Sequence, residues 1–181
     1  CGQKHECAIH DIEVGRGLVN RVGEILQKNG FPQKLLLVAD ENTLQAADGI
    51  LESLSSFDVT KYVYQNIRVA TMDDVRRVES YFDRVDAVLA VGTGSVHDPC
   101  RLACANRSKP LCLFATAPSM DGFASYSAPI VDGNFKITYP AKCPEVIVAD
   151  TDILAAAPAE LKSAGFGDMV SKYVALIDWQ V

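Results

Sequence analysis

Short, continuously apolar runs alternate with stretches of helical periodicity along most of this 181-residue chain, and that alternation restricts it to one class of fold. Between the charged ends Lys34 and Asp40 lie only Leu35, Leu36, Leu37, Val38 and Ala39, the pattern of a strand covered on both faces. Ahead of it Leu18, Val22, Ile25 and Leu26 recur at helical spacing, with Gly30 as a stop. Behind it Asn42 or Thr43 can cap a helix reaching about Ser55. Residues 59–64 predict a second strand, after which Thr71 caps a helix presenting Val75, Val78 and Phe82 on one face. Residues 86–91 predict a third strand. It runs into Gly92-Thr93-Gly94-Ser95 and a helix to about Asn106, with Pro99 expected in the first turn. Residues 110–115 predict a fourth strand. Strand, helix, strand in repetition means an open parallel sheet with right-handed crossovers.

The rhythm changes after Thr116. Residues 125–139 are strand-like on either side of Asp132-Gly133-Asn134, a hairpin signal. Residues 146–150 predict one more strand. From Ile153 the composition turns helical, with Pro158 at a helix start. Gly165-Phe166-Gly167-Asp168 then opens an amphipathic helix through Trp179 that nothing later in the sequence covers. The expected fold is α/β: over 1–150 an open, mostly parallel, Rossmann-like sheet flanked by helices with a β-hairpin insertion. Over 151–181 the truncated start of an all-helical second domain is expected.

Bulk composition narrows the function. A net charge of -6 without a run of Lys or Arg repels phosphate backbones, which speaks against nucleic acid as a partner. No apolar stretch approaches the ~20 residues of a membrane span, and no charged-then-apolar stretch suggests secretion, so neither is expected. Of the six cysteines, Cys100 and Cys104 fall in a helical pattern and Cys112 in an apolar strand. Free buried thiols and a reducing cytoplasm are therefore expected. Cys1, His5 and Cys7 could hold a metal, but their spacing matches no common zinc pattern, and a solvated terminus is the simpler expectation.

Four places carry chemistry. Gly92 to Asp98 lies between a buried strand and a helix, where amides and helix dipole favour an anion; a tight structural turn is the competing explanation. Asp40 closes a strand at the edge where open sheets bind ligands, and can accept from a ribose or cap a helix. Thr116-Ala117-Pro118-Ser119-Met120-Asp121-Gly122 ends another strand at that edge with two hydroxyls, a rigid turn and a carboxylate. Asp168 stands at the start of the final helix, where an N-cap is the default. His97 is expected to be structural or exposed, and three scattered histidines defend no catalytic triad.

In that order, Gly92-Thr93-Gly94-Ser95-x-x-Asp98, Ala115 to Gly122, and Gly165 to Met169 with Lys172-Tyr173 and Asp178-Trp179 resemble the glycerol-1-phosphate dehydrogenases, the bacterial members most of all. That family is grouped with glycerol dehydrogenases, iron-type alcohol dehydrogenases and dehydroquinate synthases. The resemblance implies that Gly94, Ser95, Val96, His97 and Asp98 cradle the pyrophosphate of NAD or NADP. Thr116, Ala117, Pro118 and Ser119 would line the same cofactor, with Ser125 at its nicotinamide end and Asp40 facing the adenosine ribose. Asp121 and Asp168 would meet a small phosphorylated polyol, and Asp168 would be the first ligand of a divalent zinc, nickel or iron ion. The metal would polarise the carbonyl of dihydroxyacetone phosphate while NAD(P)H delivers hydride. Two more metal-binding histidines would come from the helical domain, and the sequence ends before either, implying a truncated portion. His97, Pro99-Cys100 and Arg101, where Lys is commoner, depart from the family pattern and bear on cofactor preference. The alternatives are a non-catalytic nucleotide-binding or interaction module, and a glycerol dehydrogenase; a homo-oligomer is compatible with each.

Overall fold

The computed structural model describes residues 8–178, so the Cys1, His5 and Cys7 group lies outside the described residues. The described residues open with β1 (Asp11–Gly15), a 3-10 turn and α1 (Val22–Lys28). There follow β2 (Lys34–Asp40), α2 (Glu41–Ala46), α3 (Ile50–Ser53), β3 (Asp58–Tyr64) and α4 (Met72–Glu79). Next come β4 (Ala87–Gly92), α5 (Gly94–Arg107) and β5 (Leu111–Ala115). The hairpin β6 (Ser127–Asp132) and β7 (Phe135–Pro140) precedes β8 (Val146–Asp150), α6 (Thr151–Ala156) and α7 (Ala159–Asp178).

Six strands form one parallel sheet in the order β1-β8-β5-β4-β2-β3, with β6-β7 as a separate antiparallel pair. This is the expected Rossmann-like α/β architecture. Alternate residues of the strands feed two separate cores. Leu35, Leu37, Leu89, Val91, Cys112 and Phe114 pack on one face, and Leu36, Val38, Val88, Ala90, Leu111 and Leu113 on the other. Leu36 and Leu37 are both fully buried, which is why the run has no polar alternation. The order reverses at β2: the chain places β3 on one side of it, then crosses back to lay β4 on the other. Open sheets bind ligands at the carboxyl ends beside such a reversal.

Several local expectations needed correction. Asp40 itself caps the helix after β2, in a capping box with Thr43, and the helix breaks at Ala47 to Gly49 instead of running to Ser55. Pro99 is the sixth residue of α5, beyond the first turn, so the Ser95 carbonyl loses its intrahelical donor. The last helix begins at Ala159, which places Asp168 inside it and not at a cap. β1 was not foreseen. Elsewhere Thr71 caps α4 as expected, with Asp74 completing a capping box. The hairpin turns through Gly133, whose φ of 60° suits the first central position of a two-residue loop. Cys100, Cys104 and Cys112 are buried free thiols. Among the described residues no helix is long and apolar enough to cross a membrane.

Candidate active site

The segments after β3, β4 and β5, the hairpin and the middle of α7 surround two confluent clefts. The first, about 430 Å³, is lined by Gly94, Ser95 and Asp98 of α5, Arg68 to Ala70 after β3, Met120, and Lys136 of β7. The second, about 440 Å³, holds Asp121, Gly122, Ser125, Ser127, Thr138 and Asp168. Asp98, Met120, Pro129 and Lys136 line both, so one surface runs from the glycine turn to Asp168. A third cleft of about 530 Å³, sharing no lining residue with these, lies between Asn42, Thr43, Thr116, Ala117, Ile153 and Leu161.

At the start of α5 the amides of Val96 and His97 return to the Thr93 carbonyl. The amides of Gly94 and Ser95 precede the first intrahelical bond and are the ones an anion can take. Val96 and His97 are fully buried, so their side chains reach neither cleft. The His97 ring lies edge-on to Phe123, centroids 5.6 Å apart. The backbone groups of Ala90 and Phe114 are near its nitrogens without reaching hydrogen-bond geometry. Burial first, and Arg101 second, pull its pKa down to about 3, leaving a neutral imidazole. Asp98 faces the clefts from the same turn. Burial raises its pKa to about 6, against the opposing pull of Arg101 and Lys136.

Asp40 is almost fully buried, and its carboxylate accepts from the Asn42 amide, the Asn42 side chain and the Ile67 amide. Its oxygens are thus committed to capping α2 and tying down the loop after β3, while the neighbouring Asn42 and Thr43 line the third cleft. Thr43 also donates to the Val91 carbonyl at 2.8 Å, tying the start of α2 to the end of β4 beside the reversal.

The loop after β5 meets α7 at close quarters. A Cβ on Gly165 would stand 1.8 Å from the Pro118 carbonyl oxygen, so only glycine lets the helix lie there. Pro118 and the half-buried Ser119 are used in this crossing. One turn on, the Asp168 carboxylate accepts from the Asp121 amide at 2.8 Å. Lys172, four residues further along α7, reaches Asp121 at 2.7 Å and Asp168 at 3.9 Å. That ammonium holds Asp121 below the usual carboxylate range. Asp121 and Asp168 are therefore brought together, and Asp98 and Ser125 share their cleft. The Ser125 hydroxyl is engaged with Ser127.

Sequence reasoning overlooked Lys136, Arg68 and the part played by Arg101. Lys136 and Thr138 alternate on one face of β7, a period-2 signal that was there to be read. Arg101 gave no local signal, because its partners are main-chain carbonyls more than twenty residues away.

Residues 13–158 match the family described as iron-containing alcohol dehydrogenase. The chain is 45% identical over 181 residues to the glycerol-1-phosphate dehydrogenase (NAD(P)+) of Bacillus subtilis, covering 96% of this chain and 46% of that protein. It is 34% identical over 190 residues to the enzyme of the same name from Halalkalibacterium halodurans, covering 100% and 47%. The chain thus spans a little under half the length of these relatives. Among solved structures, NADH-dependent butanol dehydrogenase A of Thermotoga maritima superposes with a TM-score of 0.82 at 20% identity, over 96% of this chain and 50% of that one. Glycerol dehydrogenase of Schizosaccharomyces pombe gives 0.80 at 24% identity, over 92% and 43%. These two likenesses speak for the fold. With the family match running through all six strands but part of β1, the chain belongs to the iron-containing alcohol dehydrogenases.

Proposed function

We propose that the complete protein interconverts dihydroxyacetone phosphate and glycerol 1-phosphate with NAD or NADP, and that residues 1–150 form its nucleotide-binding domain and 151–181 the start of a helical one. The observation that carries this reading is the meeting of Asp121 and Asp168 at one end of a cleft whose other end is the glycine turn of α5. The amides of Gly94 and Ser95 receive the pyrophosphate. Thr116 and Ala117, with Asn42 and Thr43 set in place by Asp40, border the adenosine, and Asp98 and Ser125 lie toward the nicotinamide. Asp121 takes a substrate hydroxyl. Buried free thiols favour a reducing, cytoplasmic setting.

Among the described residues no three His, Cys, Asp or Glu side chains converge as a metal site. Asp168, with Asp121 beside it, fits one corner of a divalent-cation centre and no more, since such centres take about three protein ligands. A zinc, nickel or iron ion, when bound there, supplies electrophilic polarisation of the carbonyl. No further step is assigned to it from these residues.

The full-length gene product is expected to consume NADH or NADPH in the presence of dihydroxyacetone phosphate, to prefer it over dihydroxyacetone, and to lose turnover on chelation. Absorbance assays on both ketones, before and after metal removal, test this. Turnover surviving thorough removal would sink the metal-dependent reading, and equal use of both ketones would favour a glycerol dehydrogenase.

A further inference from the structure

We propose that Arg101 is the positioning residue of this site: from inside α5 it holds the loop 121–125, and with it Asp121 and Ser125, in register with the glycine turn. The proposal rests on the dehydrogenase reading above for the meaning of the loop, but its geometry is independent of it. Arg101 is the largest fully buried side chain among the described residues. A guanidinium taken out of water is costly unless its donors are used. One terminal nitrogen donates to the Ser125 carbonyl, and the other to the carbonyls of Gly122 at 2.8 Å and Phe123 at 3.2 Å. Its Nε has no hydrogen-bond partner among the described residues and points to Asp98 at 4.0 Å.

Besides Arg101, the Cys143 thiol donates to the Ala124 carbonyl at 3.4 Å and the Ser125 hydroxyl is bonded to Ser127, but neither reaches the carbonyls of Gly122 and Phe123. The loop's own structure is a single 3-10 turn over Gly122–Ala124 with one closing bond from the Ser125 amide to the Gly122 carbonyl. Its leading residue, Asp121, is tied from above by Asp168 and Lys172 of α7. From below, His97 and Arg101 sit one turn apart on α5, the first against the Phe123 ring and the second on three carbonyls. α5 therefore carries the anion-binding turn at its start and the support of the substrate loop two turns later, so the two cannot drift apart independently. An apolar residue would fill the same volume without the desolvation, and a lysine lacks the planar fork that spans three acceptors. The choice of Arg is explained by the loop it grips.

In the full-length protein, Arg101→Met keeps the bulk and removes the donors, Arg101→Lys keeps the charge, and Arg101→Ala leaves room for an added guanidinium. We expect Arg101→Met to lose about 100-fold in kcat/KM for the ketone, as a reacting group displaced by an ångström does. NADH affinity, read by fluorescence, should fall far less than kcat/KM, because the glycine turn is untouched and only the Ser125 end of the cofactor site is loosened. Arg101→Lys should fall between, and methylguanidine should restore part of the activity of Arg101→Ala. Wild-type kcat/KM in Arg101→Met or Arg101→Lys, or a loss of NADH affinity matching the loss of kcat/KM, would overturn the proposal. Hydrogen exchange supplies a readout that needs no turnover. In Arg101→Lys the amides of 122–127 should exchange faster while β4 and β5 stay protected, and unchanged protection of 122–127 would equally overturn it. A wild-type protein that turns over no ketone would remove the dehydrogenase reading instead, leaving the exchange measurement to decide on Arg101.

Discussion

Asp98 stands where the two confluent clefts join, and its environment works against its charge. Burial holds its proton until about pH 6, although Arg101 on its own helix and Lys136 on the hairpin favour ionisation and Asp121 and Asp168 lie across the cleft. The unfolded carboxyl ionises near 3.8. Between these values the folded state binds more protons, so stability falls as pH rises through that window and levels off above it. Asp98→Asn should then be more stable than wild type at pH 8, by on the order of 2 kcal/mol, with the gain vanishing near pH 4. Denaturant unfolding at the two pH values measures this, and a variant equally destabilised at both would refute it. Such a gain at the proposed nicotinamide end of the site would be the usual sign of stability given up for activity. Residue by residue, legibility was uneven. The pairing of Asp121 with Asp168 was foreseen only through family resemblance, since no local pattern links positions forty-seven apart. Asp40 read equally well as ribose acceptor or cap, and the Ile67 amide that helps saturate it comes from a different loop. His97 was read from the residues as structural or exposed, and the structural half of that reading holds: its neighbours turn its ring into the core.

α7 shows how an element can be misread from its glycines. Gly165 and Gly167 look like breakers in the sequence, and a helix beginning after them was the natural expectation. The helix instead runs from Ala159 through both. The two glycines have different explanations. Beside Gly167 nothing lies within 4 Å, whereas at Gly165 the Pro118 carbonyl occupies the space a Cβ would need. Gly167→Ala should therefore stabilise by roughly 1 kcal/mol through helix propensity alone. Gly165→Ala should destabilise by about 1–3 kcal/mol and push α7 off the 116–122 loop, separating Asp168 from Asp121. Thermal melts of the two single variants check the contrast; a stabilised Gly165→Ala would mean the crossing is not as tight as it looks. β1 escaped notice for a related reason. Asp11-Ile12-Glu13-Val14 alternates polar and apolar residues, a weak period-2 signal, and what makes it a strand is β8, more than 130 residues later. Strands with continuous apolar runs were legible because burial on both faces leaves its mark in the strand's own residues.

At the scale of the whole molecule, the same double burial that made the strands easy to find also places the site. The central strands β2, β4 and β5, covered on both faces, can expose only their ends, and the reversal at β2 opens a gap beyond the carboxyl ends of β2 and β4 that no crossover fills. Asp40, Thr43 and the glycine turn surround that gap, and β5 brings the Thr116 to Gly122 loop to its side. Two acids at strand ends act alike in this arrangement. Asp40 accepts from the loop after β3, and Asp150 accepts from the amides of Gly17 and Val19 while capping α6, so each ties a strand end to a neighbouring connection. The rigidity of the site is thus inherited from two independent cores, and they can be tested separately. Leu36 and Leu37 are consecutive, both fully buried, and belong to opposite cores. In a sheet with one wet face, truncating one of them would be nearly free. Here Leu36→Ala and Leu37→Ala should each cost about 2–5 kcal/mol in urea unfolding, the range for removing a leucine from a packed interior. A loss confined to one of the pair would mean that one face of the sheet is not sealed, and the argument that the site can lie only at the strand ends would go with it.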